Sequence, residues 1–250
     1  MTKYIFIGAA DKTDMLLHCA ELLSLLADVN ILLIDATMNE HYRNIFEFER
    51  GVIFDYCNKF DIATTYALRG IDFNQYDVCL IDTGLEAGLF HELRLFDKAD
   101  ELNGYSETNS VGDIKPDDPK CTRVYCATSF KKNELLPLKQ LIGNMKTHGY
   151  ENFNCIFYDI PYTGIETDYV LSELFGETET NIAIHELYQN DNDRDLNVAE
   201  QHNERMDFKK HSKNYRTGLL DICVSICNLN TSYFDKLVKK NGRTLRRALS

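Results

Sequence analysis

The sequence predicts an α/β fold: a mostly parallel central sheet with helices on both faces, arranged as a three-layer sandwich. Three observations predict it. Segments with strand character alternate with segments of helical period, the pattern of a parallel sheet flanked by helices. The first strand is apolar and runs through a short loop straight into an amphipathic helix. The chain has 250 residues, a length that commonly forms one α/β domain around a single core.

The elements follow in order. A strand is predicted over Lys3 to Ile7. Met15, Leu16, Cys19, Leu22, Leu23 and Leu26 then recur at steps of three and four, which predicts a helix from Thr13 to Ala27 with one stripe on the sheet. A second strand over Asn30 to Asp35 completes a right-handed βαβ start. Further strands are expected at Val78 to Asp82, Arg123 to Thr128, Asn154 to Ile160 and Asn181 to Leu187. Further helices are expected at Glu86 to Phe96, Asn133 to Met145, Thr167 to Leu174 and Arg216 to Cys227, with Pro137 tolerable in a first turn. Asn103 to Lys120 is rich in Gly, Ser, Asn, Asp and Pro and reads as a solvated excursion. Gln189 to Lys213 is charged over a weak helical pattern around Val198 to Met206, and both stretches read as surface insertions. One domain over residues 1–230 and a basic tail over 231–250 are therefore expected.

The formal net charge of −12 disfavours a surface that engages nucleic acid or acidic lipid as a whole and leaves room only for a local basic patch. Eight cysteines are present without any CxxC, and Cys79 and Cys155 sit inside apolar runs, as buried thiols of a reducing cytoplasm do. Cys223 and Cys227 are four apart, but two sulfurs do not complete a four-coordinate zinc site. No window approaches the apolar length of a membrane span and no leader pattern is seen, so a cytoplasmic protein is expected.

The turn after the first strand reads Gly8-Ala9-Ala10-Asp11-Lys12-Thr13, followed by Asp14 at the head of the helix. A loop of this kind cradles phosphate with inward backbone N–H groups and the positive end of the following helix. Its Lys neutralises the outer phosphates and its Thr hydroxyl holds Mg²⁺. Lys12 and Thr13 occupy those two places, in the strand-to-helix context such a motif requires. Only one glycine, Gly8, remains, and Asp11 sets a carboxylate against a polyanion, a like-charge contact. A plain turn capped by Thr13 explains the same residues.

Taken with the strands that follow, the chain resembles the ParA/MinD family of deviant Walker ATPases, including the pole-organising TadZ and CpaE proteins, and so implies a P-loop NTPase-like fold. The family loop Lys-Gly-Gly-x-Gly-Lys-Thr aligns with Ile7 to Thr13. Its Leu-Leu-Ile-Asp-x-Asp aligns with Leu32-Leu33-Ile34-Asp35-Ala36-Thr37, and its Glu-Arg-x-Val-x-Tyr-Asp with Glu49 to Asp55. Its Tyr-Asp-x-x-x-Ile-Asp-Thr aligns with Tyr76-Asp77-Val78-Cys79-Leu80-Ile81-Asp82-Thr83. The resemblance implies ATP or ADP on residues 8–14, Mg²⁺ on Thr13 and Asp82, and Asp35 as a water-positioning catalytic acid, though Asp35 also reads as a structural cap. It implies as well a homodimer and a protein partner within a localised assembly.

Departures from the pattern fall on function. The signature lysine that reaches across the family's dimer is Ile7, the second acid of Asp-x-Asp is Thr37, and no Asn stands in Phe157-Tyr158-Asp159-Ile160-Pro161. Phosphoryl transfer depends on positioning and charge neutralisation. The resemblance with these losses implies a positioning or assembly factor with a degenerate site. An active partition-type ATPase and a non-enzymatic binding module on the same fold are the alternatives.

The seven histidines show no HxxxH or HExxH spacing, and His91-Glu92 and His185-Glu186 read as ordinary pairs. In the tail, Tyr233, Phe234, Leu237, Val238, Leu245, Ala248 and Leu249 gather on one side of a helical wheel. Lys236, Lys239, Lys240, Arg243, Arg246 and Arg247 gather on the other, and with Asp235 give the tail a formal charge of +5. The pattern suits an anionic membrane surface, at roughly 1 kcal/mol per basic residue close to it, and so a location peripheral to the inner face of the membrane. It also suits DNA, a protein partner, or a helix packed on its own domain.

Overall fold

A computed structural model describes residues 2–26, 29–85, 122–160, 164–176, 182–228 and 236. The expected helix Glu86 to Phe96, the polar excursion and all of the tail but Lys236 lie outside these residues; Lys236 is exposed. The strands are β1 (Thr2–Ile7), β2 (Ile31–Asp35), β3 (Phe54–Tyr56), β4 (Phe60–Thr64), β5 (Val78–Gly84), β6 (Arg123–Thr128), β7 (Asn152–Tyr158) and β8 (Ala183–Leu187). The helices are α1 (Thr13–Leu23), α2 (His41–Phe46), α3 (Lys132–Thr147), α4 (Thr167–Phe175), α5 (Asp191–His202) and α6 (Lys213–Cys227).

The strands form one sheet in the order β3-β4-β2-β5-β1-β6-β7-β8, parallel except for the antiparallel β3–β4 edge. Alternation along the strands separates two cores. Tyr4 and Phe6 of β1 point to one face, where Leu16, Leu22, Tyr42, Tyr125, Tyr215 and Leu219 bring in α1, α2 and α6. Ile5 and Ile7 point to the other, where Leu138, Leu141, Val170 and Leu174 bring in α3 and α4. The result is the expected α/β sheet with helices on both faces.

Chain order reverses direction at β1, which has β5 on one side and β6 on the other. In open parallel sheets such a switch point opens a crevice at the carboxyl ends of the strands. Register then decides which side chains meet there: Asp35 and Asp82 are direct partners at the ends of β2 and β5.

Three differences from the sequence expectation stand out. The hairpin β3–β4 and the short helix α2 were not expected. The hairpin turns at Cys57 and Asn58, both at φ +54, with Asn58 N–H donating to Asp55 at 2.7 Å, so no glycine marks it. Helix α1 ends at Leu23 rather than Ala27: the Leu25 and Leu26 N–H groups close on Leu22 O and Leu23 O, three residues back, and the chain tightens into a turn. Third, residues 189–213 are no surface insertion. Asn190 caps α5 through a capping box with Asp193, and this helix buries Asp193, Asn197 and Glu200 against the body.

Those buried polar groups meet α1 and α6. His18 Nε2 lies 2.9 Å from Glu200 Oε2, and His211 Nε2 lies 3.2 and 3.3 Å from the two Glu200 oxygens. Asp207 N–H also donates to Glu200 Oε1 at 2.8 Å. Burial pushes the Glu200 carboxyl up, but these hydrogen bonds outweigh it and hold its pKa at about 2. Helix α6 approaches β8 so closely that a Cβ on Gly218 would sit 2.5 Å from Glu186 O.

Candidate functional site

The site begins with backbone geometry. Gly8 follows β1 at φ +123, donates its N–H to Gly84 O at 2.8 Å, and leaves no room for a side chain, since a Cβ there would lie 1.9 Å from Ala127 O. The chain then turns through exposed Ala9, half-buried Ala10 and exposed Asp11 into α1. Lys12 is the residue before the helix and makes no side-chain cap; Asp11 does, its Oδ1 accepting the Thr13 N–H at 3.0 Å. The first free N–H of the helix is thus taken by a carboxylate of the loop itself.

Lys12 is buried and turned inward. Its ammonium donates to Gly8 O at 3.0 Å and Ala10 O at 3.1 Å and pairs with Asp82 Oδ1 at 3.1 Å, both side chains 3% exposed. A buried pair of this kind survives only when each charge is fully met, which the two carbonyls help to do. The Tyr42 hydroxyl donates to the other Asp82 oxygen at 3.1 Å. Burial and the neighbouring Asp82 charge push the Tyr42 phenol well above its ordinary range, so it remains a donor.

Asp35 stands beside Asp82 but is committed to the backbone. Oδ1 accepts the Thr37 N–H at 3.0 Å and its hydroxyl at 2.6 Å, and Oδ2 accepts the Tyr42 N–H of α2 at 3.0 Å. Burial raises its pKa while these bonds pull it back. Thr13 is buried at the head of α1. Asp14 turns away from the loop and accepts from Gln201 Nε2 of α5 at 2.8 Å; burial raises its pKa too. Tyr158, at the end of β7, donates to Met15 Sδ at 3.1 Å.

Gly8, Lys12, Thr13, Asp35 and Asp82 therefore come together at the switch point, with Asp11 at the helix end and Asp14 aside. The membrane or partner residues expected in the tail, Phe234, Leu237, Lys239, Lys240, Arg243, Arg246 and Arg247, lie outside the described residues. The sequence reading missed Tyr42, which joins Asp35 and Asp82 from a helix that carries little periodicity. It also missed the His18–Glu200–His211 cluster, whose members are far apart in the chain. Of the described cysteines, Cys19, Cys79, Cys126, Cys155 and Cys223 are buried. Among the described residues no helix is long and apolar enough to cross a membrane.

No family model and no curated protein sequence matches the chain. Solved structures do. MinD cell division protein from Aquifex aeolicus aligns with TM-score 0.60 at 11% identity, over 92% of this chain and 98% of that one. The MinC:MinD cell division protein complex of the same organism aligns with TM-score 0.59 at 13% identity, over 92% and 97%. A ParA family ATPase from Chlorobium tepidum TLS aligns with TM-score 0.55 at 11% identity, over 89% and 98%. The chain is built on the fold of the MinD and ParA ATPases.

Proposed function

We propose that this chain is a ParA/MinD-like spatial organiser, of the TadZ/CpaE kind, whose nucleotide site is degenerate and turns over little or no ATP. Its task is to place a protein partner within a localised assembly such as a secretion, pilus, conjugation or division apparatus. The MinD neighbour in complex with MinC supports a protein partner for this fold.

One observation carries the reading: the Asp11 carboxylate caps Thr13 N–H at the head of α1. An anion already sits on the helix end that phosphate would use, and Lys12 faces Asp82 and two loop carbonyls instead of the crevice. In this arrangement the residues present do not fit the phosphates of ATP or ADP. The Asp82 oxygens that would serve Mg²⁺, beside Thr13, are likewise engaged by Lys12 and Tyr42. Asp35 has three donors on its carboxylate and acts as a structural cap. No hydrolytic step is assigned to these residues.

The basic tail is proposed as the contact with an anionic membrane surface, and a dimer formed by the chain would be insensitive to nucleotide because position 7 is Ile, 0% exposed in the core. Steady-state ATPase assays on the wild type and on Lys12→Ala test the proposal. Equal background rates are expected; turnover in the ordinary enzymatic range that Lys12→Ala abolishes would refute it.

A further inference from the structure

The polar cluster behind the phosphate loop has the donor set and spacing of a metal site. His18, Glu200 and His211 are buried, and a ligand atom from each lies within 4.8 Å of the other two. Both imidazoles turn Nε2 toward the same carboxylate, at 2.9 Å for His18 and 3.2 and 3.3 Å for His211. Ligands about 2.1 Å from a tetrahedral zinc ion lie about 3.4 Å from one another. The nitrogen-to-carboxylate separations, 2.9 Å from His18 and 3.2 Å from His211, are close to two edges of that figure.

The other ring nitrogens complete the pattern. His18 Nδ1 faces the Tyr215 hydroxyl at 3.2 Å, and His211 Nδ1 faces Asp193 Oδ1 at 3.5 Å. Metal-bound histidines are oriented in this way, with the outer nitrogen turned to a carboxylate or hydroxyl and the inner lone pair left for the ion. His211 Nδ1 is also a buried polar atom without a hydrogen-bond partner, although its side chain is 0% exposed. A ligand bond at Nε2 would fix the ring with its Nδ1–H on Asp193.

Charge points the same way. Asp193 and Glu200 are buried carboxylates that face imidazoles, His211 for Asp193 and both His18 and His211 for Glu200, and Asp193 also accepts the Asn190 and Ser212 N–H. A divalent cation meets both charges and leaves each imidazole neutral. Two nitrogens and a carboxylate suit zinc, whereas Mg²⁺ and Ca²⁺ prefer oxygen alone.

We propose that His18, His211 and Glu200, the last through both oxygens, form a closed zinc site that clamps α1 to α5 and to the segment leading into α6. Asp193 and Tyr215 are its positioning residues. Because the cluster is shut off from solvent, the ion enters as the chain folds and its binding adds to folding stability. The clamp does not depend on any nucleotide at the loop.

The full chain, purified without chelator and analysed by mass spectrometry of its metal content, tests this. About one equivalent of zinc per chain is expected, falling to background in Glu200→Gln, and Tyr215→Phe is expected to weaken zinc about 10- to 100-fold in competition with a chromogenic chelator. Cobalt titrated into metal-free wild type gives the absorption of a tetrahedral site, a readout that stands even if Glu200→Gln fails to fold. Zinc retained at full stoichiometry by folded Glu200→Gln would overturn the proposal. So would wild type that holds no metal, gives no cobalt band and melts at the same temperature with zinc or with EDTA, since the cluster would then be a hydrogen-bonded network and nothing more.

Discussion

Helix α1 serves two polar clusters that handle charge in opposite ways. At its head, Asp11 is exposed and caps one N–H, a contact that solvent can replace. Less than two turns on, His18 is wholly buried and meets Glu200 of α5 and Tyr215 of α6. The first cluster is held by neighbours in sequence and the second by elements nearly 200 residues away. Removing a group from the first changes what can bind, whereas removing one from the second leaves an unpaired polar group in the core.

The largest expected effect lies in the second cluster. Glu200→Ala should cost about 4 kcal/mol, because two imidazoles and the Asp207 N–H lose their buried carboxylate partner together. Urea unfolding measures it, and a loss under 1 kcal/mol would break the contrast between the two regions. At the loop the backbone should be nearly as sensitive. Gly8→Ala forces a side chain into φ +123 and against Ala127 O, and about 3 kcal/mol is expected from the same measurement.

Asp14 lies between the regions and gives a smaller, pH-dependent effect. Burial, the largest cause, and the nearby Asp11 and Glu200 charges raise its pKa in the folded protein above the ordinary 3.8. The folded state therefore holds this proton more tightly than the unfolded state. The stability so gained is full below 3.8 and is lost as the pH climbs through the raised value. Asp14→Asn should flatten that decline between about pH 4 and neutrality in a series of thermal melts, and at neutral pH it should change stability by less than about 1 kcal/mol, since it also gives up a favourable charge in the first helical turn. A steeper decline in the variant would mean that Asp14 is not the group responsible.

The same contrast explains what could be read from the sequence. The loop is contiguous, so Gly8, Lys12 and Thr13 announced themselves, and the aspartates at the ends of β2 and β5 followed from the apolar runs before them. What sequence alone could not supply was direction: that Lys12 turns inward to Asp82, or that Asp11 bends back onto Thr13. Asp35 carried two meanings in the sequence, and only the position of α2, with Tyr42 N–H on its carboxylate, favours the structural one. The cluster was illegible for a different reason. His18 and Glu200 are joined by topology across 182 positions, and the polar residues of α5 look like a solvated face until α1 and α6 cover them. The β3–β4 hairpin was missed because Phe54–Tyr56 is three residues long and its turn lacks the usual glycine.

The central claim is that the loop's own carboxylate occupies the place of phosphate, and calorimetric titration of ADP with Mg²⁺ into wild type and Asp11→Gly tests it most directly. Freeing the helix end at a stability cost of no more than about 1 kcal/mol should tighten binding at least about tenfold, from heats near the detection limit in the wild type. Micromolar binding to the wild type, unchanged in Asp11→Gly, would contradict it.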